Sequence, residues 1–335
     1  MSKELANFNK STKKDWKEKI ISDLGSDNGF ENLINDIEGI KIKPFYHHED
    51  NIINYNCNLP DFWEKYQFID AKNAKTANKK ALTALNNNMT ALCFSNPNNL
   101  NVLLKDISIE NIRIDFKNYK KNFPYEWQKF SHKKKVQGAF HKVENIKINN
   151  YLNTIYVKEG TAKQQIESAL YQAEKSKDNV QFHFTIGSNF FLEIAKIKAF
   201  RILWQFKKKQ DPYIFTSTSL SNKEKINQYN NIIRTTTECM SAIFGGANAI
   251  MIYPYNQKFE KTTDFSERIA RNQQTILEKE SYLDKVVDPT NGSYYINYLI
   301  NELLTDFKID NVDVLKDCND YWLSPEEINI KKKYT

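Results

Sequence analysis

The chain is poor in the residues that usually announce a function. Only nine of its 335 residues are Gly, and none falls in a GxGxxG or GxxxxGK[ST] pattern. A phosphate-cradling glycine loop therefore has little material. There is no HExxH motif. The four cysteines, Cys57, Cys93, Cys239 and Cys318, stand far apart with no CxxC pair, which excludes a zinc ribbon or a disulfide framework. The five histidines suggest no ligand set: His47 and His48 are adjacent and surface-like, and the others are scattered. Arg is scarce too, five of the 48 basic residues. A net charge of +7 carried almost wholly by Lys reads as solvated helix faces, since nucleic-acid surfaces favour Arg forks interleaved with aromatics.

Long apolar runs are also missing. Mean hydropathy is −0.66. The one long uncharged stretch, Cys239 to Gln257, contains Gly245-Gly246, two Asn residues and Pro254, which a lipid-spanning helix would not tolerate. The N-terminus lacks the apolar core of a signal peptide, so no membrane and a cytoplasmic location are expected. Composition is otherwise globular, with 40% hydrophobic and 27% charged residues.

What is present is alternation. From residue 67 onward short β runs alternate with helical periodicity. Strand starts fall near 67, 91, 112, 136, 146, 180, 213 and 249. Helices are expected over Ala71–Asn88, Gln164–Lys177, Asn189–Phe206 and Tyr229–Phe244, the last stopped by Gly245-Gly246. Eight such units predict an α/β fold, a (β/α)8 TIM-type barrel, with a doubly wound open sheet as the alternative. The stretch 95–150 offers poor crossovers and is expected to be irregular. Asp264–Glu267 resembles a capping box opening one further helix, and Ser293 one more. Residues 1–60 read as an N-terminal arm, 61–308 as barrel plus terminal helices, and 309–335 as a polar tail. The arm's aromatics, Trp16, Phe30, Phe45 and Tyr46, with Trp63 just beyond, suggest a docking element for a partner.

Barrel chemistry belongs at the C-terminal ends of the strands. The polar residues expected there are Asp70, Ser95, Asp115, Asn149-Asn150, Ser217 and Tyr253 to Asn256. Asp70 and Asp115 could pair, though a helix cap is the commoner use of such an Asp. Arg234, Arg268 and Arg271 are expected to pair with Glu238 or Glu267 on the helices.

Four blocks carry a resemblance. YNNIIRTTTECMSAIFGGANAI (229–250), DFSERIARNQQTILEKES (264–281), VVDPTNGSYYINYL (286–299) and TIGSNFFLEIAKIKAFRILW (185–204) closely resemble the methylmalonyl-CoA mutase family. DWKEKIISDL and EGIKIKPFYHHED (38–50) resemble that family's small, or beta, subunit. The resemblance implies a barrel threaded by a CoA ester, working with adenosylcobalamin to interconvert methylmalonyl-CoA and succinyl-CoA. It also implies a cobalamin domain with a DxHxxG motif, which is not found in this sequence. Positions that carry chemistry in active relatives read differently here. The Tyr-His pair falls at Tyr156-Val157, an Arg at Asn179, a Gln at Ile226 and a Glu at Gln257, while an HTN block reads Met251-Ile252-Tyr253. The expectation is a chain with no catalytic, cofactor-binding or metal residues of its own: the non-catalytic small subunit of a heterodimer. The large subunit would hold adenosylcobalamin, and a vestigial pocket could take a CoA ester. The alternative is a self-sufficient acyl-CoA mutase barrel served by a separate cobalamin-binding chain.

Overall fold

In the computed structural model residues 11–26, 28–55, 57–141, 151–176 and 179–307 are described. Helix α1 (Lys13–Leu24) opens on a capping box between Thr12 and Asp15 and ends at Gly25 in the left-handed conformation. A short 3-10 turn (Glu31–Leu33) and a hairpin follow, β1 (Asn35–Ile37) with β2 (Ile40–Ile42). The hairpin was not anticipated; its strands are three residues long, too short for an alternation signal.

The barrel strands are β3 (Glu64–Asp70), β4 (Ala91–Ser95), β5 (Arg113–Lys117), β6 (Gln137–Phe140), β7 (Tyr151–Tyr156), β8 (Val180–Ile186), β9 (Tyr213–Thr218) and β10 (Ala249–Met251). All pairings are parallel, and β10 closes on β3. The expected eight-stranded barrel is thus the fold. Its helices are α2 (Ala74–Asn86), α3 (Leu100–Leu103), α4 (Phe123–Phe130), α5 (Ala162–Lys175), α6 (Phe190–Lys208), α7 (Asn230–Gly245) and α8 (Asp264–Lys279), followed by α9 (Tyr294–Leu304). The crossovers between 95 and 135 are the short ones, α3 with four residues and α4 with eight. Asn149-Asn150, the first residues of the strand expected from 146, and the tail with Cys318 lie outside the described residues.

Local chemistry explains the helix borders. Asn73, Thr161 and Ser293 each accept the backbone N–H three residues on. The capping box of α8 sits one residue earlier than expected: Thr263 and Ser266 form it, because Asp264 is already the first helical residue. Gly246 ends α7 at φ +80, and a Cβ there would meet Leu59 at 2.6 Å. Small and large faces then fit the helices to the strands. α2 lays Ala74, Ala77, Ala81 and Ala84 on the barrel. α6 packs Phe200 and Trp204 edge-on to Phe182. Each fully buried Phe of this layer contributes roughly 1.5–3 kcal/mol.

The N-terminal segment lies along the chain's own helices. The Tyr46 ring packs on Tyr295 and Tyr298 of α9, and the Tyr298 hydroxyl donates to the Lys41 carbonyl at 2.9 Å. Glu38 accepts from the Ala162 N–H at the start of α5 at 2.6 Å. Trp16 packs on Phe45, while Phe30 and Trp63 are buried. Phe30, Tyr46 and Trp63 are therefore engaged within the chain, while Trp16 stays 37% exposed beside Phe45.

Candidate functional site

A parallel barrel strand sends alternate side chains outward to the helices and inward to the axis. In β5 Ile114 and Phe116 face the helices, so Arg113 and Asp115 face the axis; in β8 Phe182, Phe184 and Ile186 face out, so Gln181 and His183 face in. The same rule brings Tyr66, Phe215, Cys93, Ala249 and Met251 into one interior cluster.

These inward residues build a buried polar network. The Asp115 carboxylate has no solvent exposure. It accepts from the Tyr66 hydroxyl at 2.9 Å and the Gln181 amide at 3.0 Å, and lies 2.8 Å from His141 Nε2. Arg113 Nε is 3.8 Å away, and its guanidinium lies over the Tyr213 ring at 4.0 Å. His141 Nδ1 is 2.9 Å from the Tyr156 hydroxyl. Nε2 therefore carries a proton toward Asp115, and Nδ1 shares a hydrogen bond with the Tyr156 hydroxyl. His183 packs edge-on to His141 and bonds Ser217 at 2.8 Å.

Electrostatics follow from enclosure. Burial alone would raise the Asp115 carboxyl, but the bond to His141, the charge of Arg113 and the Gln181 amide outweigh it and hold it below its ordinary value. Burial drives His183 well below the ordinary imidazole value, so it is neutral. Burial likewise raises the hydroxyls of Tyr66 and Tyr156, which stay protonated. The arrangement orients protons in a dry interior.

At the C-terminal mouth, beside the ends of β3 and β10, lies a cleft of about 830 Å³ lined by Phe68, Asp70, Lys72, Lys80, Gln257 and Lys261, among others. The anticipated polar residues divide between the two levels. Asp115 and Ser217 lie inside, and Ser95 accepts from Asn118. Asp70 is at the rim, exposed, and accepts from Asn96 at 3.0 Å. Asp70 and Asp115 do not pair, because Asp70 ends its strand outside the enclosed interior. Tyr253 closes the interior cluster, and Asn256 is buried behind it.

The expected arginine pairings are replaced. Glu238 is held by Lys223 at 2.7 Å and Glu267 by Lys80 at 2.5 Å. Arg234 instead reaches Glu224 at 3.0 Å, Arg268 lies over Phe265, and Arg271 bonds Gln67. Helix spacing favoured the nearest carboxylates, but Lys223 from a loop and Lys80 from α2 occupy them, and Arg271 turns to the strand residue Gln67.

The histidines were the clearest miss: residues 42 apart in sequence meet inside the barrel. Inward alternation around the apolar residues of β5 and β8 was the signal that could have found this set. Val157, where the sequence comparison places a His, is buried in the outer layer with Ala162 and Ile166. Asn179 is exposed at the N-terminal end of β8 and Ile226 is 81% exposed. Gln257 lines the mouth. His47, His48 and Glu49 bring ligand atoms within 4.8 Å of one another at the surface, but His47 Nδ1 already accepts the Glu49 N–H in a short turn.

Comparison with known proteins agrees with the sequence blocks. The family model described as methylmalonyl-CoA mutase matches residues 155–313, from β7 through α9. The methylmalonyl-CoA mutase small subunit of Porphyromonas gingivalis is 28% identical, the alignment covering 86% of this chain and 60% of that one. The chain is similar to methylmalonyl-CoA mutases over these stretches. The mutase of Rhizobium meliloti is 41% identical and the mitochondrial enzyme of Homo sapiens 37%, each over 37% of this chain and 19% and 18% of theirs. This chain therefore spans about 60% of the length of the small subunit and under a fifth of those longer mutases. Among solved structures a Yersinia pestis dihydropteroate synthase superposes with a TM-score of 0.38 at 10% identity, covering 67% of this chain and all of its own. No helix among the described residues is long and apolar enough to cross a membrane.

Proposed function

We propose that this chain is the non-catalytic small subunit of a heterodimeric, adenosylcobalamin-dependent methylmalonyl-CoA mutase. The large subunit isomerises methylmalonyl-CoA to succinyl-CoA. The observation that carries this reading is the filled axis. Tyr66 and Phe215 are 1% and 0% exposed, and the His141 and Asp115 side chains are both 0% exposed. A CoA ester threading such a barrel would have to displace them. Opening the network would leave Arg113 and Asp115 unpaired in a dry interior, which costs several kcal/mol.

The interior does not suit a cobalt ligand either. Both His141 nitrogens are committed, to Asp115 and Tyr156, and His183 is enclosed. Neither can reach a macrocycle, which supports placing the corrinoid on the partner. What these residues can do is hold the barrel closed and rigid, a scaffold for assembly. The reading carries with it a cytoplasmic location alongside the large subunit.

The experiment is co-expression with the large subunit, followed by mass measurement and mutase assay of each chain and of the pair. The expected result is a stable pair in which activity and adenosylcobalamin segregate with the large subunit. The mouth cleft and the oriented Tyr156 hydroxyl favour the second reading, a barrel active with a separate cobalamin-binding chain. Turnover by this chain with such a partner and no large subunit would establish that reading instead.

A further inference from the structure

On the flank of the barrel a groove of about 480 Å³ runs between α2 and α8. Its charged lining is lopsided: Lys79, Lys80, Arg268 and Arg271 against Asp264 and Glu267. The two carboxylates balance part of it, both favouring the charged form of Arg271, but neither pairs with it. Glu267 is held by Lys80 at 2.5 Å and by the Thr262 hydroxyl at 3.0 Å, and Asp264 stands exposed in the first turn of α8. Lys79, Arg268 and Arg271 make no ion pair among the described residues.

Arg271 is the telling one. It is only 8% exposed, so nine-tenths of it is enclosed. Among the described residues its single hydrogen bond is to a neutral acceptor, Gln67 Oε1, at 3.3 Å, and its Nε has no partner. A buried guanidinium normally faces a carboxylate, a phosphate or a set of carbonyls, because losing water without gaining an anion is costly. Burial lowers its proton affinity from the ordinary guanidinium value, yet it remains a cation. A fork of N–H donors at the floor of a groove, with two further uncommitted cations on its walls, matches an oxyanion. Thr76 adds a hydroxyl to the lining, and Phe265, 48% exposed beneath Arg268, offers an apolar surface for the body of a ligand.

We propose that this groove is an anion site that takes a phosphate group, with Arg271 as the buried anchor and Lys79 and Arg268 as the walls. It lies on the helix layer, outside the strand barrel and apart from the network around Asp115. A phosphate group could arrive free or as a phosphomonoester; the groove is larger than inorganic phosphate alone requires.

The test is calorimetric titration of the full chain at low ionic strength, with inorganic phosphate and separately with adenosine 5′-monophosphate. One saturable site is expected, weakened at least tenfold by Arg271→Gln and by the double variant Lys79→Ala/Arg268→Ala. Because Lys79 and Arg268 are exposed, the double variant keeps the test valid if Arg271→Gln fails to fold. Binding of the nucleotide at least tenfold tighter than phosphate supports a phosphomonoester whose body lies on Phe265; equal binding supports phosphate itself. Absence of saturable binding for both probes, or binding undiminished in the folded variants, overturns the proposal.

Discussion

Removing the Asp115 carboxylate probes the closed interior most directly. The group accepts from Tyr66, Gln181 and His141 at 2.8–3.0 Å and is the nearest anion to Arg113, with no exposure to water. Asp115→Ala leaves a buried guanidinium with no counter-charge and two or three donors unsatisfied. Breaking a buried pair from one side costs about 3–5 kcal/mol, more than the roughly 1 kcal/mol net value of an ordinary hydrogen bond. At about 2 °C per kcal/mol for a chain of this size, the melting temperature should fall by about 6–10 °C. Asp115→Asn keeps the shape and one acceptor, so about half that loss is expected. Asp70→Ala at the exposed rim should stay within about 0.5 kcal/mol. The double variant Arg113→Met/Asp115→Leu removes both charges and should recover much of the loss, since apolar replacement of a buried pair is often neutral or better. Thermal scanning and urea titration of the four variants check the series. A loss below about 1 kcal/mol for Asp115→Ala, or a double variant no better than the single, would refute the claim that Arg113 depends on Asp115.

Three further outcomes are expected. Gly246→Ala forces a Cβ to 2.6 Å from Leu59 at φ +80, so about 1–2 kcal/mol should be lost, read as a lower urea midpoint; an unchanged midpoint would mean that the N-terminal segment is not pressed against this turn. Asn179→Arg and Ile226→Gln should leave the activity of the assembled complex within about tenfold, equal to about 1.4 kcal/mol in barrier, and a larger change would make these positions catalytic. The third outcome concerns pH. Native His183 refuses a proton that the unfolded chain takes up below about pH 6.5, so acid removes stability at about 1.4 kcal/mol per pH unit. Burial outweighs Lys223 and lifts Glu238 to about 7, so between that value and the ordinary carboxylate range acid adds stability at a comparable slope. His183→Asn should therefore gain stability from pH 7 to pH 5 relative to the parent, and Glu238→Gln should lose it. Urea titrations at pH 7, 6 and 5 decide; parallel profiles for all three proteins would show that neither group titrates as stated.

The barrel was legible because its outer layer is written in apolar residues at fixed periods. VQFHFTI alternates around Phe182 and Phe184, and α6 carries an aromatic and aliphatic stripe that matches it. Weak stretches were weak for a physical reason. β6 reads QGAF, and Gly138 looks like a break. In the fold it permits close approach, since a Cβ there would stand 1.7 Å from the Ile114 carbonyl oxygen. The hairpin of β1 and β2 was too short to show a period, and the engagement of Tyr46 with α9 is a contact across about 250 residues that no local pattern encodes.

The interior failed to register because chemistry was sought only at strand ends. In this barrel the polar residues sit one layer deeper, at alternate positions of the strands themselves. Once Ile114 and Phe116 are assigned outward, Arg113 and Asp115 must face the axis, and once Phe182 and Phe184 are outward, so must Gln181 and His183. Four strands treated in this way deliver Tyr66, Asp115, Gln181 and Phe215 to one enclosed volume without knowledge of any distance. What alternation cannot give is which of them meet, because pairing depends on the stagger of strands around the barrel. That stagger puts His141, one residue past β6, beside Asp115 rather than in the open mouth. The same residue set could line a passage if the side chains were small. Tyr66 and Phe215, packed edge-on at 4.9 Å, make it a plug. Whether such a barrel admits a thread thus rests on side-chain volume at a few inward positions, with the outer layer and helix borders unchanged.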